Sequence, residues 1–434
     1  MFESVRNAWR IPDLRRKLFF TLFALLIYRF GANIPVPGID QNTLVSIFNS
    51  TMQNTIFGMQ NMLSGGALSQ GTIFALSIQP YINASIIMQL LTIGIPALER
   101  MQKEGGEEGK KKIAAITRYV TVALALLLGF AYYTMLRNQM GVVGEGAWTA
   151  IIIILTFTAG SAFIMWLGEQ ITEFGIGNGI SIILFASIVS RGASLVNSMY
   201  TLIFPAPIEN EAGEMVAQAS QWWVVVLALV GVMLLVVFVV FITNAERRLP
   251  VQYAKRVVGR RMYGGQSTHL PLKVNMSGVM PIIFAQSIAS FPATIAMFFG
   301  AGDSINSWFG QNSVLYSVVY FLLIIAFSYF YTSIQFNPVE IANNLKQNGG
   351  SIPGFRQGKP TSDFIKKVLG KITLFGALFL GVIAVLPTVT GAIFNVSSLA
   401  LGGTSILIVV GVALETVKAI EAQMVMRSYK GFLE

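Results

Sequence analysis

Cysteine is absent from this chain, and histidine occurs once, at His269. The first absence excludes a disulfide framework and all thiol chemistry; the second leaves no imidazole cluster for a metal. Charge is scarce as well: 12% of the 434 residues are Asp, Glu, Lys or Arg, against 54% hydrophobic, and the mean hydropathy is +0.65. That balance places the chain among polytopic membrane proteins. The net charge of +10 would suggest a nucleic-acid partner in a soluble chain. Among apolar spans it reads as basic loops beside anionic lipid, fixed by the positive-inside rule. No carboxylate lies in the middle of an apolar segment, which argues against a proton or sodium relay. Paired acids, a Ser/His/Asp set, a P-loop and zinc spacing are all missing, so the chain is not expected to be an enzyme, and no metal or cofactor is expected. The GxGxG within Gly168–Gly179 follows no strand and is not a nucleotide fingerprint. The N-terminus lacks a short apolar core before a small-residue cleavage site, so no removed signal peptide is expected.

What is present is a series of apolar segments long enough for a bilayer. They are Leu18–Phe30, Thr72–Leu98, Ile113–Leu136, Trp148–Leu167, Ile180–Leu202, Trp222–Ile242, Gly278–Phe299, Val314–Tyr331, Ile372–Val389 and Ser405–Leu414. The last runs on into Glu415, Lys418 and Glu421 at helical spacing, as a helix leaving the bilayer would. Charge placement tests this count of ten spans. With both ends on one side, the segments on that side are the N-terminus, Glu99–Lys112, Gly168–Gly179, Thr243–Asn275, Thr332–Lys371 and the tail. Of the 30 Lys and Arg, only Arg29, Arg118, Arg137 and Arg191 fall elsewhere. The opposite loops carry Asp40, Glu145, Glu209, Glu211, Glu214 and Asp303. This asymmetry predicts that both termini are cytoplasmic.

Polar residues within or between the spans are the candidates for function. Span two carries Gln79, Asn83, Ser85 and Gln89, amides and a hydroxyl that are costly in lipid unless they pair with a neighbouring helix or line a wet path. Arg29 reads most simply as a side chain snorkelling to the interface. Phe57–Gln70 (FGMQNMLSGGALSQ) is uncharged, rich in Gly and Ser, and too short to span. It is a surface loop or a re-entrant piece lining a cavity, because irregular backbone cannot face lipid.

The largest polar interruption is Thr243–Asn275, held between two strongly apolar segments. It carries Arg247, Arg248, Lys255, Arg256, Arg260, Arg261 and Lys273 against a single acid, Glu246. A second, Thr332–Lys371, carries Lys346, Arg356, Lys359, Lys366, Lys367 and Lys371. Such loops suit docking of a large partner through phosphates or acidic faces, or they only fix topology. Five spans on each side of a central loop also fit a secondary transporter with inverted repeats, though such a protein normally carries polar binding groups at mid-depth.

At Gln266–Asn275 (QSTHLPLKVN), with YAKR and GRR before it, the sequence resembles the SecY family, the channel subunits of the bacterial Sec protein translocase. IPVPG (34–38), QPYINASIIMQLL (79–91), MWLGEQITEFGIGNGISI (165–182), FNP (336–338), PGFRQG (353–358) and LGGTSILIVVGV (401–412) follow in the family's order and spacing. The resemblance covers essentially the whole chain.

It implies an all-α polytopic membrane protein with ten transmembrane helices in two pseudo-symmetric five-helix halves, 1–202 and 222–434, around an hourglass pore. The pore would narrow to an aliphatic ring of Ile78, Ile82, Ile180, Leu184, Ile283 and Ile408. Branched aliphatic side chains offer ions no ligands, so such a ring blocks them by dewetting, yet it yields to a polypeptide in any register. Phe57–Gln70 matches the family's plug, a short re-entrant helix; its residues would be Phe57, Met59, Asn61, Met62, Leu63, Ser64, Gly65, Gly66 and Leu68. Asn83, Ser287 and Phe291 would face one another in a lateral gate that opens for signal sequences. Arg356, with Arg247, Arg248, Lys255, Arg256, Arg260 and Arg261, would dock the SecA motor ATPase or a ribosome. The implied partners also include SecE and SecG, signal peptides, translocating polypeptides and membrane lipid, and the implied location is the bacterial cytoplasmic (inner) membrane. His269 would be structural.

Overall fold

The computed structural model describes Trp9 and residues 11–48, 56–138, 141–144, 146–204, 208–209, 215–216, 222–253, 256–258, 261–263, 267–298, 313–394 and 402–430. Within them the chain is overwhelmingly helical. In order come α1 (Pro12–Gly31), α2 (Gln41–Ile47), α3 (Ile56–Leu63), α4 (Gln79–Gly94), α5 (Pro96–Lys103), α6 (Gly106–Asn138), α7 (Ala147–Phe174), α8 (Gly179–Ser190) and α9 (Gly192–Ile203). After two short strands, β1 (Ile208–Glu209) and β2 (Met215–Val216), come α10 (Trp222–Asn244) and a β-rich segment. Then follow α11 (Met280–Phe298), α12 (Val314–Gln335), α13 (Pro338–Gln347), α14 (Lys359–Phe394) and α15 (Gly402–Lys430).

Among the described residues, α6, α7, α10, α12 and α14 are each long and apolar enough to cross a membrane, and α4 with α5 makes a sixth if that bent pair is one span. Their outer faces are greasy. On α10, Met233, Leu234, Val237 and Phe241 are all more than 60% exposed, and Trp148 and Trp222 sit exposed at helix starts. Apolar surface on that scale, with tryptophans at the ends, is what lipid rather than water surrounds. The chain is a multi-pass membrane protein.

Several expected spans are redrawn by local chemistry. Span two does not begin at Thr72: residues 72–78 run in turns, and α4 starts at Gln79, with Pro80 in its first turn, where a missing N–H costs nothing. It ends at Ile95, extended as residues before proline are, and Pro96 starts α5 at 104° to α4. Span five is two helices, broken where Arg191 ends α8 and Gly192 opens α9. The glycine-rich connector before α8 is a tight helix junction. Asn178 caps α8 by accepting from the Ile180 and Ser181 amides, and a side chain on Gly179 would lie 1.9 Å from the Gly168 carbonyl oxygen.

The central basic segment is a folded finger. Strand β3 (Glu246–Tyr253) pairs antiparallel with β6 (Ser267–Lys273) from Glu246↔Lys273 to Gln252↔Ser267, and β4 (Arg256–Val258) pairs with β5 (Arg261–Tyr263) nearer the tip. The finger is not independent of the second polar connector. A two-residue strand there, β7 (Gly350–Ser351), adds to the other edge of β3. Leu249 and Val251 alternate with exposed neighbours along β3 and meet Leu272, Ile352 and Ile365 in a small core. Each such buried aliphatic is worth about 1.5–3 kcal/mol over its exposed state. The two loops expected separately are therefore one packed unit.

Candidate functional site

The six residues assigned to a ring converge. Ile82 and Ile78 lie one turn apart at the start of α4, Ile180 and Leu184 one turn apart on α8, and Ile283 and Ile408 on α11 and α15. A spacing of four puts each pair on one helix face. Ile78, Ile82, Leu184, Ile283 and Ile408 are all buried in a single hydrophobic cluster, and Ile180 packs against it. The cluster draws on helices from both ends of the chain, including Tyr28 of α1 and Val412 of α15. The six side chains themselves are all aliphatic and offer no ligand for an ion, within a cluster that also holds aromatic rings such as Phe284 and Tyr331.

Against this cluster lies the uncharged segment. Helix α3 ends in two glycines with left-handed backbone, Gly65 (φ 68°) and Gly66 (φ 92°), and the Gly66 amide donates to the Asn61 carbonyl. This is the Schellman-type stop that glycine permits. Asn61, Met62, Ser64, Gly65 and Leu68 are buried, and Leu63 and Gly66 are half-buried. The side chains of Phe57 and Met59 lie outside the described residues. A cavity of about 50 Å³ lies beside the helix, lined by Gln60, Leu63 and Leu68 together with Ile78, Gln79 and Leu184, while Leu63 also packs on the cluster itself. Arg29 does more than snorkel, since its guanidinium donates to the Gly65 carbonyl at 3.3 Å and to Ser190 Oγ at 3.2 Å.

Helix α4 meets α11 and α12 along a seam that two side-chain hydrogen bonds cross. Gln79 Nε2 donates to Ser287 Oγ at 3.0 Å, and the Tyr331 hydroxyl donates to Gln89 Oε1 at 2.6 Å. Ser287, expected in the gate, is buried at this seam. Asn83, expected to pair across the seam, is half-buried and makes neither bond; the amides on either side of it along α4 do so. The Phe291 side chain lies outside the described residues. Aromatic packing of Phe284 on Tyr331, with ring centroids 5.2 Å apart, thickens the seam. No sequence pattern distinguished Gln79 and Gln89 from helix–helix glue elsewhere.

On the finger unit, Arg247, Arg248 and Arg356 are exposed, and Arg248 Nε donates to Glu246 Oε1 at 2.7 Å. The pairing of β3 with β7 places the turn that carries Arg356 in the same unit as Arg247 and Arg248. Lys255 and Arg260 lie outside the described residues, and of Arg256 and Arg261 only the backbone, in β4 and β5, is described. His269 is exposed on β6 opposite Pro250. Away from the finger in sequence, Asp40 caps α2 and is held below the usual carboxylate pKa, first by the Thr43 hydroxyl and also by the Thr43 and Asn42 amides.

The arrangement has solved counterparts. A structure described as that of a protein conducting channel aligns with a TM-score of 0.64 at 17% identity, covering 95% of this chain and 93% of the other. Sec61 in a canine ribosome-channel complex from the endoplasmic reticulum aligns with a TM-score of 0.60 at 16% identity, covering 95% and 93%. The chain has the helical fold of the SecY/Sec61 channels. The SecY family profile matches residues 72–417. Protein translocase subunit SecY from Streptomyces galbus is 46% identical over 450 residues, covering 100% of both chains, and the one from Halalkalibacterium halodurans is 45% identical over 442 residues with the same coverage. The chain belongs to the SecY family.

Proposed function

We propose that this chain is the central channel-forming subunit of a bacterial Sec translocon. It passes unfolded secretory polypeptides across the cytoplasmic membrane and releases signal sequences and transmembrane segments sideways into lipid. The observation that carries this reading is the burial of the aliphatic Ile78, Ile82, Leu184, Ile283 and Ile408 in one core cluster, with a short uncharged helix beside it and a polar seam along α4. In this reading ten transmembrane helices form two halves, 1–202 and 222–434. Both termini are cytoplasmic, α3 and the turn after it are the plug, and the α4–α11/α12 seam is the lateral gate. Displacing the plug and parting the seam would open a path whose wall is deformable and holds no fixed binding group.

The same reading gives the finger unit a docking role. Exposed Arg247, Arg248 and Arg356 on one folded body would meet ribosomal phosphates or acidic faces of SecA. A ribosome partner is also suggested by the canine ribosome-channel complex that shares this fold. SecE and SecG would complete the complex against the exposed apolar helix faces.

The test is to arrest a secretory chain halfway through membranes that hold this protein, with a photo-crosslinking residue at Ile82 or at Ile283. Crosslinks from both positions that vanish when the chain completes transit are expected. Translocation that proceeds without labelling at either position would overturn the ring assignment.

A further inference from the structure

We infer that Tyr28, Arg29 and Tyr132 are positioning residues that clamp the root of the plug, residues 64–73, to the first half of the channel, so that plug displacement moves helix α3 and leaves the root in place. This rests on the plug and channel reading above. The root is held through its own backbone. Tyr132, fully buried on α6, donates its hydroxyl to the Leu68 carbonyl at 2.7 Å. Arg29 donates to the Gly65 carbonyl at 3.3 Å. The Tyr28 hydroxyl lies 2.7 Å from Ser187 Oγ and 3.4 Å from the Ser64 carbonyl oxygen. The single phenol proton that reaches the root is the one Tyr28 donates to the Ser64 carbonyl, and Ser187 Oγ, which also donates to the Ile183 carbonyl at 2.8 Å, holds the hydroxyl in place from α8. Further along, the Gly71 carbonyl accepts from the Val36 amide and the Ile73 amide donates to the Ile34 carbonyl, which staples the root to the IPVPG turn. Each of these donors and acceptors outside the root belongs to α1, to the turn after it, to α6 or to α8.

The helix is held differently. Its inner face borders the 50 Å³ cavity through Gln60 and Leu63, a volume larger than one water's share of the liquid. Asn61 Oδ1, which accepts from the Ser69 amide at 3.0 Å, ties the helix to the root. The cavity also reaches Leu68 and Tyr132, so it is the hydrogen bonding that divides this segment into a fixed part and a releasable one: the bonds from Tyr132, Arg29 and Tyr28 all end on root carbonyls, at Leu68, Gly65 and Ser64. The left-handed Gly65–Gly66 pair marks the border.

The chain has no cysteine, so an engineered pair is read without background. A side chain on Gly65 would start 3.0 Å from Ser190 Oγ, which makes Gly65→Cys with Ser190→Cys a lock on the root. The strain of a side chain at this positive φ is common to the reduced and oxidised forms. Translocation by the oxidised pair is expected within about two-fold of the reduced pair. A block on oxidation that reductant reverses would overturn the clamp. In parallel, Gln60→Cys is probed with a membrane-impermeant maleimide before and after a secretory chain is arrested. Labelling that rises on engagement, together with a blocked 65–190 lock, sinks the clamp alone. Labelling that never changes sinks the plug reading and the clamp with it.

Where the pair does not oxidise, Tyr132→Phe decides. It keeps the ring packed on Phe157 and deletes only the hydroxyl. Resting ion conductance in a planar bilayer is expected to rise roughly two- to ten-fold, the range that one buried hydrogen bond supports. Tyr133→Phe, whose hydroxyl is buried without a hydrogen-bond partner among the described residues, is the matched control and should change nothing. Equal conductance in the two variants would overturn the assignment.

Discussion

The chain from residue 64 through α4 has two contrasting interfaces. Towards α1, α6, α7 and α8 it is fixed backbone to side chain at very short range. A Cβ on Gly160 of α7 would lie 2.1 Å from the Ile73 carbonyl oxygen, and Ser161 Oγ donates to the Ser77 carbonyl at 3.1 Å. Towards α11 and α12 it is fixed side chain to side chain, by Gln79 with Ser287 and by Tyr331 with Gln89, over packed rings. A fit between backbones has no intermediate state, because neither chain can retreat by changing a rotamer. Side-chain bonds can be given up one at a time, to water or to a passing helix. The first interface is a foundation and the second is a joint.

The strongest way to break this contrast is to push on the foundation. Gly160→Val puts two methyl groups against the Ile73 carbonyl, and a loss on the order of 3 kcal/mol is expected, as overpacking against backbone costs. Thermal unfolding of the purified protein in detergent reads it; an unshifted transition would show that the 72–78 turn yields freely.

The joint should respond in opening rather than in stability. Gln79→Leu removes one bond but strands no donor, because Ser287 Oγ also donates to the Ile283 carbonyl at 2.9 Å. Tyr331→Phe removes the other. Each is expected to favour opening by about 0.5–1.5 kcal/mol. Bonds ten residues apart on one helix, about 15 Å, should add. Export of a substrate with a weakened signal sequence is the assay, and it should rise in each variant and most in the double variant. No gain in the double variant would mean that the seam is not what holds the channel shut.

A smaller change sharpens the contrast from the other side. Ser161→Ala deletes the donor to the Ser77 carbonyl and should lower stability by about 1 kcal/mol, with no gain in export through a weakened signal. A gain would make the foundation part of the gate after all.

The smallest effect lies at the edge of the foundation, where α2 packs Leu44 beside Leu68 and Gln41 donates to the Gln70 carbonyl. Asp40 caps α2 with a carboxyl pKa lowered by Thr43, so its contribution is present above the ordinary carboxylate range and is lost as pH falls through the depressed value. Amide protection of α2, corrected for intrinsic exchange, should hold at pH 5 and fall only below about pH 4. Protection lost at higher pH would mean that Asp40 is not the cap.

Much of this was legible in the residues. Apolar runs marked α6, α7, α10, α12 and α14, and the six aliphatic residues taken from the family motifs lie in or against one core cluster. Other features left no trace that hydropathy could register. The bend at Ile95–Pro96 and the break at Arg191–Gly192 fall inside segments whose average hydropathy still reads as one span. Thr72–Ile78 is greasy enough to be helix, yet glycine turns and a contact with Gly160 hold it otherwise. The clamp of Tyr28, Arg29 and Tyr132 was invisible for a different reason, since its acceptors are backbone carbonyls, which every residue has. Asn83 and Gln79 look alike in sequence, and only the position of α11 decides which of them finds Ser287.

The pairing of β7 with β3 also sets an order of events during synthesis. Ser351 Oγ donates to the Gln252 carbonyl across a sequence separation of 99 residues. Until the ribosome has delivered residue 351, β3 has β6 on one side and a bare edge on the other, and Ile352 and Ile365 are missing from its core. An unpaired edge flanked by arginines is soluble and repels its own kind. The finger therefore waits as a charged, half-built hairpin while α11 and α12 are made, and it hardens only when the next polar connector arrives.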